Sequence, residues 1–153
     1  MIRMPRKCTL ALAFAYLTMS TLDIPSARAA GGDIRLTVDG FRNDTGEIRG
    51  ALFASPNGWT ERGHEVAACR AEIHAGRATC TFRDVPAGEY AIAFLHDEDG
   101  NGDLARNFLG IPEEGFGFSN DAPPSFGPAS FRDASVAHDG SASSLRAHVR
   151  YGL

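Results

Sequence analysis

No run of about 20 uncharged apolar residues occurs in this chain of 153, so no lasting transmembrane span is expected. A basic excess is also missing: 15 Lys and Arg stand against 19 Asp and Glu. Nucleic-acid binders need cations to displace the counterions of phosphates, and this balance runs the other way. None of the three cysteines forms a CxxC pair, which removes the usual spacing of thiolate metal sites and redox pairs. Convincing helical periodicity is scarce as well. What remains is 43% hydrophobic and 22% charged, too apolar for a disordered chain, and its length suits one domain.

Residues 1–29 read as a signal peptide ahead of a single domain over 30–153. Arg3, Arg6 and Lys7 form a positive start, Thr9 to Met19 an apolar run, and Ala27-Arg28-Ala29 the small residues read at cleavage. Cys8 stands before the apolar run, not at the cleavage site, which argues against a lipoprotein. The expected product is exported, periplasmic or extracellular. Losing Arg3, Arg6, Lys7, Arg28 and Asp23 leaves 11 cations against 18 anions, a formal charge near −7. Multivalent cations suit such a chain better than nucleic acid does.

Beyond the leader, apolar and polar residues alternate with period 2. Ile34, Leu36 and Val38 share a face, and FRNDTG reads as a turn into EIRGALFAS. Asn43-Asp44-Thr45 matches a glycosylation sequon, but NDTG fits a hairpin turn better. Val66 to Ile73 and Ala78 to Phe82 flank Ala75-Gly76 as a second predicted hairpin, across which Cys69 and Cys80 would form a disulfide in an oxidising compartment. Pro86 and Gly88 turn the chain into a strand bearing Tyr90, Ile92 and Phe94. SFRDASVAH and SSLRAHVRY read as the last strands, the second with Leu145, Ala147, Val149 and Tyr151 on one face. The expected fold is all-β, an antiparallel β-sandwich of about seven strands. One stretch, His96 to Ala129, departs from this rhythm. Its Phe108, Leu109, Ile111, Phe116, Phe118 and Phe126 imply a long ordered loop packing aromatics over one end of the sandwich, and function is expected there.

That loop opens with HDEDGNGDLARNF. Asp97, Asp99 and Asn101 alternate, followed by Gly102 and Asp103, which matches the first half of a calcium loop of the EF-hand kind. Hard cations take several oxygen ligands, and Gly102 permits the sharp turn around the ion. The second half departs from the pattern: Ala105 fills position nine, and Phe108 stands where a bidentate Glu belongs. Further ligands would come from Asn107, Glu113, Glu114 or backbone carbonyls, among which spacing does not choose. With so few charged ligands, affinity for Ca2+ belongs in the weak range of about 10⁻⁴–10⁻³ M. The competing reading is a solvated turn whose Asp and Asn side chains bond their own backbone.

Other chemistry has thinner support. His96 beside Asp97 is the one histidine–carboxylate pair suited to a base or a transition-metal ligand. His64, His74, His138 and His148 show no ligand spacing, and Ser119 lies in GFGFSN with no G-x-S-x-G elbow. Phe116, Phe118 and Trp59 read first as packing residues and second as a surface for a protein or carbohydrate ligand.

VPAGEYAIAFLHDEDGNGDL, then NFLGIPEEGFGFSNDA, then FGPASFRDASV resembles the bacterial domain of unknown function 2141 family, over nearly the whole mature chain. The resemblance implies export and a transthyretin-like or carboxypeptidase-regulatory-like β-sandwich. Family loops read close to HDENGNGKLDTNF, so Ala105 here replaces an Asp that would serve as a ligand. The leading reading is an exported, non-enzymatic binding or accessory module with a weak calcium site at Asp97, Asp99, Asn101 and Asp103. The alternatives are an enzyme, hydrolytic or metal-dependent, using His96 with Asp97 or Asp99, and a structural domain docking by an edge strand or the aromatic loop.

Overall fold

The alternating pattern becomes eight strands within residues 31–152, the part of the chain that the computed structural model describes. The predicted leader lies outside the described residues. The strands are β1 (Gly32–Asp39), β2 (Glu47–Phe53), β3 (Ala67–Glu72), β4 (Arg77–Val85), β5 (Gly88–Asp97), β6 (Gly115–Phe118), β7 (Ser135–His138) and β8 (Ser143–His148). They form two sheets. The smaller has the order β4-β1-β8, and the larger runs β3-β2-β5-β6, with β7 also pairing β5. The fold is an all-β sandwich. Among the described residues no helix is long and apolar enough to cross a membrane.

Inward positions from both sheets make the main core. Ile34, Leu36 and Val38 of β1 meet Ile48 and Leu52 of β2, Phe82 of β4, and Ile92 and Phe94 of β5, all nearly or fully buried. Burying each such side chain contributes about 1.5–3 kcal/mol. A second cluster covers part of the outer face of the larger sheet: Ala91, Phe116, Phe118, Ala122, Ala129 and Ala134, with Trp59 and Phe131 against it. Strand β5 is therefore covered on both faces. Tyr90, Ile92, Phe94 and His96 point into the sandwich, while Ala91, Ala93, Leu95 and Asp97 point outward.

Several expectations need correcting. Against the antiparallel expectation, β1 pairs β8 in parallel, Leu36 facing Leu145. Period 2 is the same in parallel and antiparallel pairs, so the pattern carries no direction. Neither predicted hairpin continues into paired strands, and the second keeps only the single His74–Arg77 bridge around Ala75-Gly76. Strands β1 and β2 lie in different sheets, and so do β3 and β4, so both turns carry the chain across the sandwich. Asp44 ties these two corners together, its carboxylate accepting Ala75 N–H and Gly76 N–H at 2.8 Å each. The Cys69–Cys80 disulfide, Cα atoms 5.7 Å apart, links the two sheets.

The long loop is also more structured than its composition implied. It contains β6 and a 3-10 turn (Ser119–Asp121), and the segment read as a strand from Ser130 starts with a helical turn, α1 (Phe131–Ala134). Ser130 caps α1 by accepting Asp133 N–H at 3.1 Å. In the Gly-Phe-Gly-Phe strand, the glycines face inward because a side chain there would collide with Tyr151 and Phe94, while Phe116 and Phe118 face outward. Phe108, Leu109 and Phe126 do not pack over the sandwich; all three are exposed.

Candidate metal centre

Asp97 ends β5 with its side chain on the outer face, fully buried. Oδ2 accepts the Gly102 N–H at 3.0 Å and lies 2.6 Å from Arg49 Nε. Oδ1 is buried with no hydrogen-bond partner. A buried carboxylate oxygen left unpaired is costly, and such atoms call for an explanation.

The following loop curls by Asx turns. Asp99 Oδ1 accepts Asn101 N–H at 3.0 Å, Asn101 Oδ1 accepts Asp103 N–H at 2.6 Å, and Asn101 Nδ2 donates to Asp99 Oδ2 at 2.7 Å. Gly102 has φ +80°, and a β-carbon there would meet Arg49 Nη1 at 2.5 Å. From the far end of the loop comes Glu114, buried, accepting Glu98 N–H and Ala105 N–H at 3.0 Å each. It therefore pins both limbs of the loop at the foot of β6.

One carboxylate oxygen each from Asp97, Asp99 and Glu114 lies within 4.8 Å of the other two. Oxygens sharing one Ca2+ at about 2.3–2.6 Å are separated by at most about 5 Å, so this spacing accommodates the ion. The local charge favours it too. Asp97 shares Arg49 with Glu47, whose carboxylate is 2.8 Å from Arg49 Nε. No cationic side chain is paired with Asp99 or Glu114 among the described residues; their carboxylates accept N–H groups of the loop instead.

Of the residues named from sequence spacing, Asp97 and Asp99 lie in this cluster, and Asn101 and Asp103 lie outside it. Asn101 is engaged in the turn, and Asp103 is turned out to an ion pair with Arg62. Glu114 is the third member of the cluster. Asn107 closes its own turn, accepting Leu109 N–H and Ile111 N–H, and Glu113 is exposed. The available signal for Glu114 was its position directly before the strand that pairs β5.

A family model described as "Uncharacterized protein conserved in bacteria (DUF2141)" matches residues 36–146, from the middle of β1 into β8. The chain belongs to the DUF2141 family. No curated protein and no solved structure matches it. The matched span of this DUF2141 chain holds all three converging carboxylates.

His96 and Asp97 of this DUF2141 chain occupy opposite faces of β5 and do not meet. His96 is fully buried between the sheets, its ring edge-on to Phe41 at 5.0 Å. Its Nε2–H donates to the Thr45 carbonyl at 2.7 Å, and its Nδ1 lies 2.7 Å from the Tyr151 hydroxyl and 3.3 Å from Glu98 Oε1. Burial holds the Tyr151 phenol above its usual value. Ser119 is likewise committed: its Oγ accepts Ile92 N–H at 2.9 Å and donates to the Ala134 carbonyl at 2.5 Å. Trp59 stacks edge-on against Phe53 and Phe131 and donates Nε1–H to the Ala129 carbonyl at 2.7 Å. These rings are largely used in packing.

Proposed function

We propose that this chain is an exported, non-enzymatic binding module whose acidic loop takes a divalent cation of the calcium type through Asp97, Asp99 and Glu114. The observation that carries the reading is the unpartnered, fully buried Oδ1 of Asp97 beside two carboxylates without cationic partners. A hard cation would satisfy all three at once. The donor set is oxygen only, which favours Ca2+ or Mg2+ over softer metals. A site whose ligands come from the two ends of one loop suits the larger ion with its looser geometry, backbone carbonyls and water completing the shell. Arg49 opposes binding by repulsion, which keeps the affinity weak. The cation would join Asp97 and Asp99, before the loop, to Glu114 after it.

Calcium titration followed by thermal unfolding tests this. Binding to the native state alone raises the melting temperature by mass action, about 1.4 kcal/mol of added stability at tenfold excess over Kd. Asp99→Ala, at an exposed position, leaves the fold intact and abolishes the rise. No rise at 10 mM calcium, or an equal rise in Asp99→Ala, overturns the reading. Export is checked separately by the N-terminus of the secreted product, expected at Ala30.

A further inference from the structure

Three loops, at residues 60–65, 101–112 and 124–128, wall a cleft of about 1070 Å3 over the outer face of the larger sheet. The register defines its floor. Arg70, Arg49, Leu95 and Phe116 form one row across β3, β2, β5 and β6; Ala68, Ala51, Ala93 and Phe118 form the next. Three interstrand steps make each row roughly 14 Å long. Between paired strands the ladders use the backbone polar groups, so the second row offers the methyls of Ala68, Ala51 and Ala93 and the edge of the largely buried Phe118 ring. The exposed large apolar side chains of the described residues, Val66, Phe108, Leu109 and Phe126, all sit on segments that border this cleft. Phe126 is held there at φ +53°, a strained conformation for a residue with a β-carbon.

Charge gives the cleft a direction. Arg49 and Arg70 are directly opposed across β2 and β3, where like charges repel. They share Glu47, whose carboxylate is 2.8 Å from Arg49 but 3.8 Å from Arg70. Asp97 serves only Arg49. Arg106, on the loop wall, reaches only the Gly110 carbonyl, at 3.0 Å. Among the lining anions, Asp103 is bonded to Arg62, Glu65 accepts the Gly63 N–H, and Glu61 faces His64. Among the lining cations, Arg70 and Arg106 are therefore the two without a carboxylate at hydrogen-bond distance.

We propose that this cleft binds an acyl chain ending in a carboxylate, the chain lying along the Ala68–Phe118 row and the head on Arg70. A peptide backbone or a sugar laid on that row would lose its hydrogen bonds to water without replacement, whereas an acyl chain loses none. The carboxylate gives Arg70 the charge-assisted hydrogen bond that Glu47, 3.8 Å away, does not. The assignment does not depend on the cation.

Trp59 is the only tryptophan and packs on Phe53 and Phe118, both of which line the cleft, so it reports occupancy. The test is titration of the full chain, in EDTA, with decanoate below its micellar concentration, read by Trp59 fluorescence and calorimetry. The expected result is saturable one-to-one binding, with decanol at least tenfold weaker. Arg70→Glu, at an exposed site, loses at least tenfold in decanoate affinity with its melting temperature unchanged. Ala68→Phe, also exposed, fills the trough and abolishes binding. Absence of saturable binding, equal affinity for decanol, or wild-type affinity in Arg70→Glu overturns the proposal. So does a dimer in sedimentation that Ala68→Phe dissociates, which assigns the cleft to a second copy.

Discussion

Glu98 follows directly after β5, and its two carboxylate oxygens accept Arg42 Nε–H at 2.7 Å and Nη2–H at 2.8 Å. The Arg42 hydrogen bonds hold the Glu98 carboxyl below its usual range, against the opposing effect of burial. Arg42 also lies over the Tyr151 ring at 4.7 Å, and Tyr151 in turn holds His96. A carboxylate with a depressed folded pKa stabilises fully above its unfolded pKa, about 4.3, and that contribution is lost as pH falls through the lower folded value. Arg42→Ala should therefore be less stable than the parent at pH 7, by about 1 kcal/mol for a partly exposed bidentate pair. Urea unfolding should show the gap narrowing as pH falls below 4. A gap that stays constant with pH assigns the loss to the Tyr151 contact alone.

Among the elements, β2 shows how one small residue admits a cross-link. Gly50 faces inward opposite Cys69, and a β-carbon there would stand 2.9 Å from Cys69 Sγ and 3.1 Å from the Phe82 ring. The disulfide joins β3 to β4 across the core at this point. Gly50→Ala should overpack the core and cost about 1–3 kcal/mol, read as a lower urea midpoint with an unchanged slope. Wild-type stability would mean that the sheets separate freely here. The inward positions of Cys69, Ile73, Ala78, Cys80 and Phe82 were legible in the alternation. The sheet each strand joins was not, since a residue facing the core looks the same whether its neighbour in sequence continues in that sheet or crosses over. Ala75-Gly76 carries the turn chemistry of a hairpin, and only the packing of β4 against β1 directs it across the sandwich.

At the scale of the whole molecule, the long excursion after β5 gathers the parts of the candidate sites. Asp97 and Asp99 were legible because the curl of one loop fixes their spacing. Glu114 was named only among several candidates, because 17 positions of chain separate it from Asp97 and only the pairing of β5 with β6 returns it. The same excursion contributes one wall of the cleft, with Phe108 and Leu109 exposed beside it. A hydrophobic pattern places such residues inside by default, so their exposure needed the structure. The most direct measurement of the central claim is a crystal structure grown with calcium. It should show an ion about 2.3–2.6 Å from one oxygen each of Asp97, Asp99 and Glu114. Density fitting only water between them, or an ion held by Asn101 and Asp103 instead, would contradict it.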